Sequence, residues 1–290
     1  KNLIVSVSCD EIQQNKDCID KIWARIQSVL GRLYVRQLQT AYALEEPLFD
    51  CHIIFEDLCG YKVEKEPYIT AIVCSSAENA QQIREIPESQ QQNFERIELS
   101  LAGNEEDERK DTQQQPLQQH FLHEDEINNK PCSFKRIAVG GTFDHLHAGH
   151  KILLTMTAIL AQQSMVVGVT DDCMLLKKKH RELIAPTMDR VHQVKHYLRT
   201  IVKRNIQYDV VPIKDPFGPT VTDSTIDALV VSKETLKGGD LVNNERDMRG
   251  LSPLKLRIID VISTNDASIA QNEDMDILKI SSSWIREYIA

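Results

Sequence analysis

The sequence predicts an α/β protein whose second half forms a doubly wound parallel sheet, preceded by a small α/β domain and a mostly disordered linker. From Ser133 onward, strand-like apolar runs alternate with helix-like patterns, as in successive βαβ units. The middle of the chain is polar and acidic, and the first 84 residues repeat the alternation on a smaller scale. We therefore predict three parts, at residues 1–84, 85–131 and 132–290.

In the N-terminal domain, apolar alternation predicts strands at Leu3–Val7, Cys51–Phe55 and Tyr68–Cys74. Apolar residues recur at helical spacing between Cys18 and Leu30 and predict a helix there. No motif with recognisable chemistry occurs in this domain, because an isolated neighbouring pair such as Cys51-His52 is typical of core or surface packing. The sequence assigns the domain no function.

The linker, residues 85–131, is rich in glutamine and carries most of the net charge of the chain. It contains 12 acidic and 4 basic residues, a net charge of −8, and the whole chain has −9. So few apolar residues cannot offset the entropy cost of ordering, which predicts disorder, with a weak helical tendency at Glu95–Leu101. Because the rest is nearly neutral, we do not expect a large nucleic-acid-binding surface.

In the second half, five apolar runs predict the strands of the sheet, at Arg136–Val139, Met165–Val169, Tyr208–Ile213, Ala228–Val231 and Leu256–Val261. Helical patterns follow at His150–Gln162 and Asp189–Lys203. A last helix is expected to begin at the serines near position 281 and to run toward Ile289.

A dense group of phosphate-binding residues follows the first of these strands. Residues 140–150 have the sequence GGTFDHLHAGH, which predicts a tight turn between a strand and a helix. A helix start has unpaired N–H groups and a partial positive charge, and Gly140 and Gly141 let the backbone approach an anion closely. His147 and His150 are three residues apart, so they share a helix face and can donate hydrogen bonds to one ligand, more strongly if protonated.

Two more stretches have the chemistry of anion sites. Residues 280–286 have the sequence ISSSWIR, in which serines cap a helix start and Arg286 adds a charged fork one turn later. The basic run 177–181, with the sequence KKKHR, follows the second strand. Such a run is either a solvated helix end or a phosphate contact, and the residues alone leave both open.

These motifs resemble those of the HxGH nucleotidyltransferase superfamily. The first resembles its T/HxGH motif, and the second resembles Ile-Ser-Ser-Thr-x-Ile-Arg, with Ser283 at the threonine position. DPFGPT at 215–220, VVSKETLKGG at 230–239 and NNER at 243–246 are similar to the phosphopantetheine adenylyltransferase part of eukaryotic bifunctional coenzyme A synthases. The resemblance covers roughly residues 135–288 and implies a Rossmann-like nucleotidyltransferase fold.

The resemblance implies transfer of AMP from ATP to 4'-phosphopantetheine, giving dephospho-coenzyme A and pyrophosphate. It assigns catalysis to Thr142, His147, His150 and Lys178, with Thr142, His150 and Lys178 on the reacting phosphates. It places His147, Ser282, Ser283 and Arg286 on the leaving phosphates. Further nucleotide or phosphate contacts are implied at Gly140, Gly141, Phe143, Ser232, Glu234, Asn243 and Arg246. Mg²⁺ is expected with ATP, and we expect Asp144 to be a structural acceptor, so no protein metal site is predicted.

Two other functions stay open. A cytidylyltransferase acting on a phosphoalcohol shares the first motif, although no Arg-Thr-x-Gly precedes the terminal serines. A nucleotide-binding regulatory module without turnover would keep the same motifs. Because every phosphate-binding motif lies after Lys135, the sequence predicts that a chain lacking residues 1–129 still folds and acts.

The expected partners are ATP and 4'-phosphopantetheine, with no nucleic acid. No run of 18 apolar residues occurs, so no transmembrane segment is predicted. In animals the resembling enzyme is often fused to a dephospho-coenzyme A kinase, which implies such a kinase as a fused or associated partner. Seven scattered cysteines without a Cys-x-x-Cys pair favour reduced thiols and a cytoplasmic location, with mitochondrial association as an alternative.

Overall fold

The structure, a computed structural model, describes residues 2–63, 71–74, 95–98, 133–259 and 281–290. Its α-helices and strands are, in chain order, β1 (Leu3–Val7), α1 (Asp10–Gln14), α2 (Trp23–Ala43), β2 (Cys51–Phe55), α3 (Glu56–Cys59), β3 (Ala71–Cys74), β4 (Glu95–Glu98), β5 (Phe134–Gly141), α4 (Ala148–Leu160), β6 (Ala161–Thr170), α5 (Thr187–Ile201), β7 (Gln207–Ile213), β8 (Ala228–Ser232), α6 (Leu236–Met248), β9 (Lys255–Ile259) and α7 (Ser282–Ile289). Lys1–Tyr61 and Pro131–Ala290 form one compact unit, and Lys62–Lys130 form a second.

The larger unit has a five-stranded parallel sheet, in the order β7-β6-β5-β8-β9. Its central strands are continuous apolar runs, such as Ile137–Val139 in β5, because both faces of a parallel sheet are covered. The strand order reverses between β5 and β8, and ligands bind outside the carboxyl ends of the strands at such a switch point. The glycines at the end of β5 and Ser232 at the end of β8 therefore reach the same edge. The predicted Rossmann-like, doubly wound fold is confirmed.

Helix α4 begins two residues earlier than the pattern predicted. His147 caps it in an extended conformation, and the Lys151 N–H closes the first turn by donating to the His147 carbonyl at 3.0 Å. The helix is buried around almost its whole circumference after His150. The reason is that β5 and β8 contact it from one side, and α2 and α3 of the N-terminal segment contact it as well.

The N-terminal segment, Lys1–Tyr61, packs directly on this helix and on α5. Its strand β2 is buried at every position and contacts α5, and α2 contributes buried residues such as Leu30 and Tyr34. Two ion pairs join the segment to the sheet domain. The Lys151 ammonium lies 2.5 Å from Asp50, and Arg257 Nη2 of β9 lies 2.6 Å from Asp20. The compact unit formed by Lys1–Tyr61 and Pro131–Ala290 differs from the three predicted parts. The predicted domain boundaries at residues 84 and 131 stay a prediction.

Two local expectations need correction. The predicted helix at Cys18–Leu30 is a 3₁₀ turn at Ile19–Ile22 followed by α2, which continues to Ala43. The weak helical tendency at Glu95–Leu101 is wrong for Glu95–Glu98, which forms a strand paired in parallel with β3. Pairing gives these four residues backbone partners that an isolated short helix cannot supply in water. The remaining residues of the predicted disordered linker lie outside the described residues, as do residues 68–70 and 260–261 of two predicted strands.

The cysteines agree only in part with the expectation of reduced thiols. Cys9, Cys51, Cys59 and Cys173 are free, whereas Cys18 is disulfide-bonded, so the expectation is wrong for that residue. Burial raises the pKa of the Cys51 and Cys59 thiols to about 11, which keeps both protonated at neutral pH. Within the described part of the chain, no helix is both long and apolar enough to cross a bilayer.

The packing predicts that removing residues 1–129 lowers the stability of the remaining chain, while its activity stays a prediction. The truncated chain would lose both acceptors of the buried Lys151 ammonium and would uncover the apolar faces of α4 and α5. Because the uncovered apolar surface loses its hydrophobic stabilisation, we expect the melting temperature to fall by about 10 °C or more. Thermal unfolding followed by circular dichroism measures this. An unchanged melting temperature would contradict the prediction.

Candidate active site

The carboxyl ends of the central strands open into a cleft of about 1020 Å³. The walls combine the glycine turn after β5, the start of α4, the segment after β8 and the start of α7. Nine of the residues predicted from the sequence line this cleft, namely Gly140, Gly141, His147, His150, Lys178, Ser232, Glu234, Ser282 and Ser283. The fold therefore gathers motifs that lie up to 143 residues apart in the chain.

The loop between β5 and α4 has an unusual backbone. Phe143 and His145 adopt left-handed conformations, with φ of 51° and 47°, which non-glycine residues rarely do outside constrained sites. Phe143 is fully buried, and its ring would lie 3.1 Å from a Cβ added at Gly141, so a larger residue there would press on this ring. The Phe143 ring also packs 5.3 Å from that of His150. The buried Phe143 ring thus helps to hold the conformation of this loop.

The two histidines of the motif stand side by side, with ring centroids 4.0 Å apart. Burial, with the charge of Lys151 and the neighbouring His145, lowers the pKa of His147 to about 4. Burial, His147 and Lys178 hold the pKa of His150 well below its usual value. Both imidazoles are therefore neutral at neutral pH, and each can donate one hydrogen bond to a phosphate oxygen.

Lys178 is the lysine of the basic run that lines the cleft. Its ammonium donates to the Thr142 hydroxyl at 3.1 Å, and burial together with the Arg286 charge lowers its pKa. Lys179 instead pairs with Glu287 at 2.5 Å. The geometry therefore separates two neighbours that the sequence could not distinguish. Thr142 does not line the cleft itself, but its hydroxyl contacts Lys178, which does.

A buried ion pair joins the first motif to the last helix. Asp144 is fully buried and accepts a hydrogen bond from Arg286 Nη1. Arg286 also donates to the Lys179 carbonyl and to the Ser283 hydroxyl, both at 3.1 Å, and the Ser282 hydroxyl donates to the Asp144 carbonyl at 2.8 Å. Arg286 was expected on the leaving phosphates. The structure gives it protein partners, and it orders the two serines that line the cleft.

Asn243 and Arg246 do not reach the cleft. The Asn243 amide exchanges two hydrogen bonds with the backbone of Leu254, at 3.0 and 2.8 Å. The Arg246 guanidinium is 1% exposed and donates to three carbonyls, of Thr220, Asp223 and Ser252. These contacts hold the ends of α6 and of the turn at residues 218–221. The expectation that Arg246 meets a phosphate has no counterpart in this geometry, because its donors point at backbone acceptors.

Ser232 and Glu234 lie where β8 passes into α6. The Ser232 and Thr235 side chains form a reciprocal capping box over the turn, with the Thr235 hydroxyl accepting from the Ser232 N–H at 3.0 Å. Gly238 and Gly239 follow on the wall of the cleft. A Cβ at Gly239 would meet Leu256 at 3.1 Å, so glycine allows the helix to approach the sheet here.

The sequence interpretation missed Arg190 in α5. This side chain is fully buried and donates to the carbonyls of Thr142 and Thr170, at 2.8 and 2.7 Å, and to Asp172 at 2.6 Å. Arg190 therefore holds the turn after β5 to the end of β6 on the side away from the cleft lining. A signal was present, since an arginine on the apolar face of a predicted amphipathic helix needs a buried set of acceptors.

A parallel sheet with a binding cleft at its switch point is typical of nucleotide-binding α/β proteins. Comparison with known proteins identifies the family within this class. Residues 138–288 match the family model described as cytidylyltransferase-like. The chain is 31% identical to the phosphopantetheine adenylyltransferase of Saccharomyces cerevisiae over 91% of this chain and 84% of that protein. The chain belongs to the cytidylyltransferase-like nucleotidyltransferases and, among them, to the phosphopantetheine adenylyltransferase family.

Two further relatives match a smaller part of the chain. The phosphopantetheine adenylyltransferase of Pyrococcus abyssi is 37% identical over 53% of this chain and 89% of its own length. An uncharacterised protein of Schizosaccharomyces pombe is 45% identical over 57% of this chain, and the match spans 50% of that protein.

The neutral histidines predict sensitivity of folding to acid. The pKa of His147 is about 4 in the folded chain and about 6.5 when unfolded, so between these values the unfolded chain binds more protons. The free energy of unfolding should therefore fall as the pH is lowered through 6.5 toward 4. His147→Gln should reduce this fall, measured by urea unfolding at pH 7.5 and pH 5. His192→Gln, at an exposed position of α5, is the control, and equal pH dependence in all three proteins would contradict the assignment.

The Asp144–Arg286 pair predicts a large loss of stability when one partner is removed. Asp144→Asn leaves the guanidinium buried without its counter-charge, and we expect the free energy of unfolding to fall by about 3–5 kcal/mol. The double variant Asp144→Asn with Arg286→Met removes both charges and should lose much less. Urea unfolding measures both, and a double variant no more stable than the single one would refute the pairing argument.

Proposed function

We propose that this protein transfers AMP from ATP to 4'-phosphopantetheine, giving dephospho-coenzyme A and pyrophosphate, as a step of coenzyme A biosynthesis. The observation that carries the proposal is the cleft at the switch point, which collects two imidazoles, the Lys178 ammonium and the serines of α7. Two of the relatives that match the chain are named phosphopantetheine adenylyltransferases, and one of them matches over 91% of this chain. We further propose that residues 132–290 contain the catalytic machinery.

The reaction needs positioning and charge stabilisation more than base catalysis. A phosphate oxygen of phosphopantetheine attacks the α-phosphorus of ATP, and the bond to the leaving pyrophosphate breaks with its electron pair. The second pKa of a phosphomonoester is about 6, so the nucleophile is already ionised at neutral pH. The Lys178 ammonium and the neutral His150 imidazole supply fixed donors for the oxygens of the α-phosphoryl group. Thr142 orients the ammonium.

His147 and the start of α7 are proposed to hold the leaving phosphates. The Ser281 hydroxyl accepts from the Trp284 N–H at 3.3 Å, while Ser282 and Ser283 line the cleft. A helix start of this kind favours an anion through its N–H groups and its dipole. We propose that Arg286 acts by ordering these serines, because its hydrogen bonds go to protein groups.

The nucleoside is proposed to lie along the wall formed by Ser232, Glu234 and the two glycines of α6. Asn243 and Arg246 support this wall by fixing the far end of α6. Gly140 and Gly141 let the phosphates approach the backbone of the turn after β5.

Magnesium is proposed to enter as the complex of Mg²⁺ with ATP. In the described part of the chain, no group of three or more His, Cys, Asp or Glu residues could hold a metal ion. Mg²⁺ prefers oxygen ligands, keeps several waters and is often bound mainly through substrate phosphates, which suits a cleft lined by hydroxyls and Glu234. A cytoplasmic location and a fused or associated dephospho-coenzyme A kinase remain parts of the proposal.

Substrate choice tests the proposal. Pyrophosphate release should have a far higher specificity constant with Mg-ATP and 4'-phosphopantetheine than with Mg-CTP and phosphocholine or glycerol phosphate. The variant His150→Ala tests the mechanism. Its kcat should be lower than that of the wild-type protein by about 10² to 10³, the usual effect of losing one charge-stabilising donor. A higher specificity constant for a CTP pair would identify a cytidylyltransferase, and no turnover with any pair would identify a regulatory module. A folded His150→Ala with unchanged kcat would refute the role of that imidazole.

A further inference from the structure

The N-terminal segment contacts the turn that bears the two histidines. Lys151 follows His150 directly, and its Nζ donates to Asp50 Oδ1 at 2.5 Å and to the Cys51 carbonyl at 2.8 Å. The Lys151 side chain is 7% exposed, so it is withdrawn from water together with its charge. One acceptor is in the residue before β2 and the other is in its first residue, about 100 residues away in the sequence.

The position of Lys151 makes its partner necessary. A cation in the first turn of a helix lies at the positive end of the dipole, where it is disfavoured. The charge also adjoins His147, whose pKa it lowers. A buried ammonium in such a place is tolerated only when a counter-charge and hydrogen-bond acceptors meet it. Asp50 supplies the charge, and the Cys51 carbonyl supplies a second acceptor.

Asp50 immediately precedes β2, and its side chain is 44% exposed. The Asp50 carbonyl accepts from the Leu3 N–H at 3.1 Å, at the edge of the β1–β2 pair, and β2 is buried throughout. The other carboxylate oxygen lies 3.5 Å from His52 Nε2. The ion pair therefore joins the first turn of α4 to the residue that leads into the buried strand β2.

Packing alone leaves space beside this turn. A second cavity, of about 350 Å³, lies between the N-terminal segment and the sheet domain, and its lining includes Tyr34, Leu38, Asp50, His147 and Lys151. Leu38, His147 and Ala148 line both this cavity and the cleft. A turn with empty space on one side is not fixed by close packing there, so its position depends on polar ties. On the side that faces this cavity, the Asp50–Lys151 pair is such a tie.

We propose that Asp50 is a positioning residue for the nucleotide site, acting through Lys151 to fix the first turn of α4 so that His147 and His150 both face the cleft. The inference rests on the proposed function and extends the site to the N-terminal segment, for which the sequence indicated no role. It also explains why a segment without a chemical motif of its own is packed onto the helix that carries the motif.

The test compares Asp50→Asn with a matched variant of the other ion pair. Asp20→Asn breaks the pair between the N-terminal segment and Arg257 of β9 without touching the histidine turn. Asp50→Asn should lower kcat/KM for ATP by about 10- to 100-fold, because small displacements of positioned groups have effects of this size. The KM for phosphopantetheine should stay nearly unchanged. Asp20→Asn should keep wild-type kcat/KM, and Asp50→Glu should restore part of the loss.

A double variant separates positioning from general stability. Asp50→Asn with Lys151→Met removes the unpaired ammonium, so its melting temperature should recover, while the loss in kcat/KM for ATP should largely persist because the tie is not rebuilt. If Asp50→Asn alone does not fold, the double variant gives the decisive measurement. Wild-type use of ATP by the folded double variant, or equal losses in Asp50→Asn and Asp20→Asn, would overturn the proposal.

Equilibrium binding of Mg-ATP, measured by calorimetry, distinguishes this proposal from the proposed function. Binding requires no turnover, so it can be measured even if the wild-type protein makes no dephospho-coenzyme A. Weaker ATP binding by Asp50→Asn than by Asp20→Asn supports the positioning role even in that case. Equal binding by the two variants overturns it, whether or not the protein is an adenylyltransferase.

Discussion

The cleft depends above all on the buried ion pair between Asp144 and Arg286. Both groups are withdrawn from water, so each would be strongly unfavourable without the other. Asp144 is part of the loop that leads into the histidine helix, and Arg286 is part of the last helix, 142 residues later. The pair therefore requires the loop after β5 and the last helix to meet, and it brings the serines of α7 to the start of α4.

Two other buried arginines shape the same region through backbone carbonyls. Arg190 holds the glycine turn from behind, and Arg246 holds the end of α6 and the turn before β8. A guanidinium has five donors in a fixed plane, so one buried arginine can fix several loops at once. Like Arg286, they contribute to the region by fixing backbone and side chains, since their hydrogen bonds are used within the protein.

The imidazoles of the motif contribute in a different way. Burial keeps His147 and His150 neutral, so they act as oriented dipoles, while the Lys178 ammonium brings a formal charge to the cleft. Oriented donors in a site that is already formed stabilise developing charge without reorganising when the reaction occurs. Because these imidazoles carry no charge, their effect on a bound phosphate depends on the exact position of the turn that bears them. The proposed positioning role of Asp50, through Lys151, follows from this.

The sequence by itself determined the parallel sheet, the helix start with its paired histidines and the serine cap of the last helix. These features are local: apolar runs, glycines and three-residue spacing are visible in a short stretch of chain. It did not determine which lysine of the basic run lines the cleft, the inward-facing partners of Arg246 and Arg286, the role of Arg190, the strand at Glu95–Glu98 or the tie from Asp50 to Lys151. Only the tertiary structure decided these, because they depend on contacts across long sequence separations and on backbone carbonyls, which every residue carries and which leave no mark in the sequence.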